Sequence, residues 1–167
     1  MLRRFFVPVA LLAATVGHAG ECPWMANSRL DAAFPDRAPW TLMAGGRGRC
    51  KFVSDESKPA STLSLTQMVE ASPKEAEEYV KTVGAGMAET YAVKAIGGIG
   101  KAGVAVRERS AADSRMLTLI GHQKNVVVMT QMSFFGGVDA AQQAKALELT
   151  QATFTADTGG GLQMPSP

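Results

Sequence analysis

Few residues in this 167-residue chain have the type and spacing to do chemistry. Gly98-Ile99-Gly100-Lys101-Ala102-Gly103 fits GxGxxG, the glycine pattern that carries a dinucleotide pyrophosphate. That chemistry needs a strand before the loop and a helix after it, so that free N–H groups at the helix start meet the phosphates. Here the order is reversed: a helical pattern runs out near Tyr91, and Val104-Ala105-Val106 beyond the loop reads as a strand. A phosphate loop of the GxxxxGK[ST] kind fails as well, because Ala102 follows Lys101. Gly97, Gly98, Gly100 and Gly103 are therefore expected to form a structural loop, their freedom at φ > 0 serving a tight helix-to-strand crossing.

Nucleophilic and metal chemistry are poorly supplied. The chain has two histidines, His18 and His122, and the first lies in a segment expected to be removed. His122 sits in GHQKN, which reads as a solvated hairpin turn. As a general base it is the residue around which an unrecognised hydrolase site would have to be built. GxSxG, SxxK and HExxH are absent. Met129 and Met132 could offer thioethers to copper, but three residues apart on a strand they point to opposite faces and read as packing. Glu77-Glu78 falls on the expected solvent side of a helix, away from the enclosed pair that glycoside hydrolysis needs. No cofactor and no metal site is expected.

The compartment is easier to read. Arg3 and Arg4 precede an apolar run from Phe5 to Val16, with small residues at Gly17 and Ala19. This is the layout of a secretory leader covering residues 1–19, and the run is short for a membrane span. Glu21 stands before Cys22 where lipoprotein processing takes a small residue. The whole chain has 17 basic and 15 acidic side chains; without Arg3 and Arg4 the two balance at 15 each, so the mature net charge is zero. Global electrostatics give no case for nucleic acid or an anionic membrane. Cys22 and Cys50, a lone pair in an exported chain, are expected to form a disulfide.

Around these residues the pattern alternates between extended and helical. A short helix is expected in PWMANSRLDAAF, ended by Pro35. Strands are expected over Trp40 to Ala44, Arg49 to Ser54 and Thr62 to Val69. Ser72-Pro73-Lys74-Glu75 opens a helix as a capping box, and Ala76, Tyr79, Val80, Val83, Met87 and Tyr91 give it one apolar face. Val104 to Arg109 reads as a strand, and Met116 to Ile120 with Asn125 to Phe134 as a hairpin around GHQKN. Asp139 to Phe154 closes the fold as a helix, with Ala140, Ala144, Leu147 and Phe154 inward. Residues 156–167 lack apolar periodicity and are expected to be disordered. Leu63–Lys81 matches Val127–Lys145 at a constant offset of 64, with Thr-Gln-Met in both copies, each reading as a strand that feeds a helix.

The exposed pattern of most interest is basic. Arg47, Arg49 and Lys51 alternate with Gly48, Cys50 and Phe52, so the three cations share one strand face. Arg107 and Arg109 do the same on a later strand. If the two strands are neighbours, the five form a cationic patch suited to an acidic partner or an anionic envelope glycan.

From Cys22 to Phe154 the chain resembles a group of small exported domains of unknown function, many of them lipoproteins. The resemblance rests on the two cysteines, with Cys50 in RCKF, on GIGKAGVAV after a mid-chain helix, and on a following hairpin that carries VVVMTQM. Those domains are related in architecture to the PsbP-like α/β/α sandwich. The chain departs from them at Ala95 and Lys101, which replace the usual proline and acid of the loop. The resemblance implies a fold and an envelope role, and it brings over no catalytic residue.

The fold expected is α+β: residues 20–155 as one domain, an antiparallel sheet of five or six strands packed by two longer helices and a short N-terminal one. The function expected is that of a non-enzymatic periplasmic or secreted binding or accessory module. Its partner would be a protein or other envelope component, or a small ligand, engaged through a sheet face or a helix–sheet groove. An inhibitor or immunity protein is the second expectation, and a hydrolase using His122 the third.

Overall fold

The computed structural model describes residues 21–46, 48–54, 60–109 and 114–155. The expected leader, Arg47 and the expected tail at 156–167 lie outside the described residues. Among the described residues seven strands form one sheet: β1 (Trp40–Ala44), β2 (Arg49–Ser54), β3 (Thr62–Val69), β4 (Ala92–Ile96), β5 (Ala102–Arg107), β6 (Met116–Gln123) and β7 (Val126–Ser133). Three helices accompany them: α1 (Asn27–Ala33), α2 (Pro73–Met87) and α3 (Ala140–Thr155). The order across the sheet is β1-β2-β3-β7-β6-β5-β4, and every neighbouring pair is antiparallel. The class is the α+β class expected, with one strand more than the upper count.

The extra strand is β4. Its five residues alternate at the sheet's edge with little burial, so they carry almost no apolar signal. Two further boundaries move. α2 ends at Met87, before Tyr91, with the Ala88 N–H returning to Ala85 O and Gly84 O. The β6–β7 turn is Lys124-Asn125, with Lys124 at φ 53, so β6 runs on through Gly121 and His122.

The topology follows from two meanders. β1, β2 and β3 pair in sequence, α2 carries the chain to the far edge, and β4, β5, β6 and β7 return to the centre. There β7 pairs with β3 from Thr62↔Ser133 to Val69↔Val126. These are the two strands of the 64-residue echo. In each copy the Thr and Met of Thr-Gln-Met point to the side of that copy's own helix. Met68 packs in the cluster beneath α2, and Thr130 bonds Thr150 of α3 at 2.7 Å.

Alternation along the strands fills both sides of the sheet. One side buries Phe52, Leu63, Leu65, Leu117, Leu119 and Met132 under α1 and α3. It ends in an aromatic group in which Phe34 meets Phe134 edge-on at 5.2 Å and Trp40 lies 5.9 Å from Phe134. Arg37 stacks over the Phe134 ring at 4.7 Å. The other side buries Ile120 and Val127 against Ala76 and Val80 of α2. α2 starts as expected, with Ser72 Oγ accepting from the Glu75 N–H and Pro73 in the first turn. α3 presents a face other than the one expected. Ala146, Leu149, Thr150 and Thr153 are buried, while Ala140 and Ala144 are exposed and Leu147 and Phe154 half-buried. The two threonines are tolerated because their hydroxyls donate to Ala146 O and Leu149 O one turn back.

Cys22 and Cys50 form the expected disulfide, their Cα atoms 5.7 Å apart across 28 residues of sequence. It ties the segment ahead of α1 to β2, where Cys50 is fully buried. An oxidised pair of this kind fits a protein that works outside the cytoplasm. No described helix is long and apolar enough to cross a membrane.

Candidate functional site

The glycine loop is the natural place to look first, and its geometry answers the phosphate question. It joins β4 to β5, two strands, and so is not the helix-to-strand crossing expected from sequence. Gly98 and Gly100 both take positive φ, +85° and +62°. Between them Ile99 turns inward and is 1% exposed. It sits on Gly103 of β5 and Gly121 of β6: a Cβ on Gly103 would land on the Ile99 side chain, and one on Gly121 would stand 2.6 Å from Ile99 O. A Cβ on Gly100 would land on the His122 carbonyl. Two of the N–H groups that a phosphate would use are already engaged. Gly100 donates to Gln151 Oε1 of α3 at 2.8 Å, and Lys101 donates to His122 O at 2.7 Å. The motif is a plug of one isoleucine set between glycines. Gly97 is a bystander, with open space where its Cβ would be.

His122 is not in the turn. It lies in β6, paired with Ala102 on one side and Val127 on the other, and is 2% exposed. Its Nδ1 lies 3.4 Å from Lys124 O, and Nε2 is buried without a partner among the described residues. A side chain so covered presents almost no surface to a substrate. Glu77, on α2, is held below the usual carboxylate range by the Lys81 ammonium that hydrogen-bonds it; Glu78 is exposed. Among the described residues no group of three His, Cys, Asp or Glu side chains is placed to hold a metal ion.

The basic residues separate into two groups, because the strands that carry them are not neighbours. β3, β7 and β6 lie between β2 and β5, a separation of about 19 Å at the usual strand spacing. Arg107 and Arg109 are also committed to internal contacts. Arg107 donates to Val138 O at 3.0 Å and to Gln143 Oε1, on the α3 side. Arg109 donates to Ala88 O, the C-cap carbonyl of α2, and to Tyr91 O three residues further on.

Arg49 and Lys51 are placed differently. As expected, they alternate with buried Cys50 and Phe52 and stand exposed on the opposite side. Arg49 pairs across to Thr66, Thr66 to Met129, and Met129 packs beneath α2, so the two cations share the α2 side of the sheet. α2 lies over β4 to β7. On β1, β2 and the first part of β3 no described helix covers that side. The surface left bare carries Thr41, Arg49, Lys51, Val53, Ser64 and Thr66, with Gln131 of β7 beside Ser64. It is hydroxyl-rich and cationic, and among the described residues it carries no acid. Sequence alternation located its cations; the Thr-x-Ser-x-Thr side of β3 that completes it was legible as a polar strand face but not as part of a site.

No protein-family model matches the chain, and neither a curated protein nor a solved structure shows significant similarity to it.

Proposed function

We propose that this protein is an exported, non-enzymatic binding module, and that the bare face over β1–β3 is where it meets an acidic surface on another envelope macromolecule. The observation that carries the reading is the uneven covering of one sheet. α2 and the buried Ile120 and Val127 complete half of this side, while Arg49 and Lys51 stand exposed on the other half among uncharged hydroxyls. The paired cysteines and the leader pattern at residues 1–19 support a working compartment in the periplasm or outside the cell. The likeness to small exported cysteine-pair domains points the same way. An inhibitor of a toxic or lytic enzyme is the special case in which the acidic surface belongs to that enzyme.

The reading is tested by capture from envelope extract with the mature chain and with Arg49→Glu plus Lys51→Glu. The wild-type chain is expected to retain a partner that 0.5 M salt releases and the double variant does not retain, while both chains melt alike. Equal retention by both chains contradicts the proposal.

A further inference from the structure

The molecule has a second concave surface, on the opposite side of the sheet and at its opposite edge. β4 and β5 project past the cover of α3 and leave a groove of about 370 Å³, within the usual range for small-molecule sites. Ala92, Ile96 and Ala105 supply its apolar wall, with the backbone at Val93, and Lys94, Arg107 and Gln143 its polar groups. Among the described residues no acidic side chain lines it.

The polar groups gather at one end. Ala92 pairs with Arg107, Lys94 with Ala105 and Ile96 with Gly103, so all six share the α3 side. Lys94 is then the diagonal neighbour of Arg107, within reach of a common ligand atom for side chains of that length. Arg107 is held in place by Val138 O and Gln143 Oε1, which use two of its five N–H donors. Because Gln143 accepts with its oxygen, its NH₂ remains a donor. Lys94 is in none of the ion pairs among the described residues. Toward the other end the wall is Ile96, which packs against the main core, and Ala105, which is 7% exposed.

We infer that this groove binds a small amphiphilic anion, a carboxylate with an unbranched apolar tail. Its head accepts from Lys94, Arg107 and Gln143, and its tail lies along Ala105 and Ile96. Among the described residues β4 is the last strand of the sheet, so the groove opens at an edge where the ligand displaces no described element. The inference stands apart from the bare face: Arg49 and Lys51 are on the other side of the sheet, four strand positions away.

The test is a titration of the mature chain with decanoate and, separately, with decyltrimethylammonium, both below micelle formation, followed by backbone amide shifts in NMR spectra. Saturable shifts are expected with decanoate, centred on residues 92–96, 103–107 and 143. Lys94→Glu is expected to weaken binding by about tenfold or more, because it removes an attraction and adds a repulsion. Ala92→Trp, at an exposed position that puts bulk into the groove, is expected to weaken it comparably, and Arg49→Glu plus Lys51→Glu to leave it unchanged. Equal affinity for the cationic detergent, shifts centred elsewhere, or decanoate affinity unaltered in both Lys94→Glu and Ala92→Trp overturns the inference.

Discussion

Ile99 needs three glycines around it, and that need explains a motif that otherwise suggests nucleotide. Gly100 must approach the His122 carbonyl, and Gly103 and Gly121 must leave room for the isoleucine. Gly103→Ala is expected to destabilise the fold by about 2–4 kcal/mol, in the range of overpacked or cavity-forming core changes. Gly97→Ala, with nothing near the added methyl, is expected to stay within about 0.5 kcal/mol of the parent. Chemical denaturation of the two variants checks both; equal effects would contradict the plug. The sequence showed that GIGKAG is no phosphate loop, because a strand follows it. The plug itself was hidden, since Gly121 lies 18 residues beyond Gly103 and only the β5–β6 register brings them together. His122 was misplaced for a related reason. Gly121 beside His122 reads as a turn, yet the Lys124-Asn125 turn alone suffices and the strand absorbs both residues. With its Nε2 buried and without a partner among the described residues, His122→Phe is expected to be neutral or stabilising by up to about 1 kcal/mol in thermal unfolding, because burying an unpaired ring nitrogen is costly. A loss of several kcal/mol would show that the imidazole has a partner the account lacks.

At the scale of elements, the strands whose side chains alternate clearly were legible at their ends to within a few residues. β2 and β3 were placed by RCKFVS and TLSLTQMV, and α2 by its capping box. β4 was not legible, because an edge strand of AVKAI buries too little to be patterned. The inward face of α3 was misjudged because it buries Thr150 and Thr153, and a helix that buries hydroxyls defeats an apolar-face search. The disulfide is the element-scale tie, closing a span of 28 residues between the start of the described chain and β2. Cys22→Ser plus Cys50→Ser is expected to lower stability by about 3–4 kcal/mol in the chain-entropy model. Denaturation of the wild-type chain with and without reductant measures the same quantity. A loss below about 1 kcal/mol would mean that packing of Leu30, Phe34 and Trp40 already holds α1 in place without the bond.

At the scale of the whole molecule, a chain whose 17 basic and 15 acidic side chains nearly balance still has local polarity, because the fold distributes cations unevenly. The four described basic residues of the expected patch do not lie together. Arg107 and Arg109 brace α3 and the end of α2, and Arg49 and Lys51 remain on a bare half-face. Net charge could not reveal this, and alternation could place the cations on a strand face but not say which strands are neighbours. That depends on α2 carrying the chain across to the far edge before the second meander begins.

The most direct test of the bare face is photocrosslinking in the producing cell, with a benzophenone side chain at Ser64 or at Glu78, an exposed position on α2. The account predicts one discrete adduct from Ser64, lost when Arg49→Glu and Lys51→Glu are added, and no adduct from Glu78. The same adduct from both positions, or an adduct from Ser64 that survives the charge reversal, would contradict it.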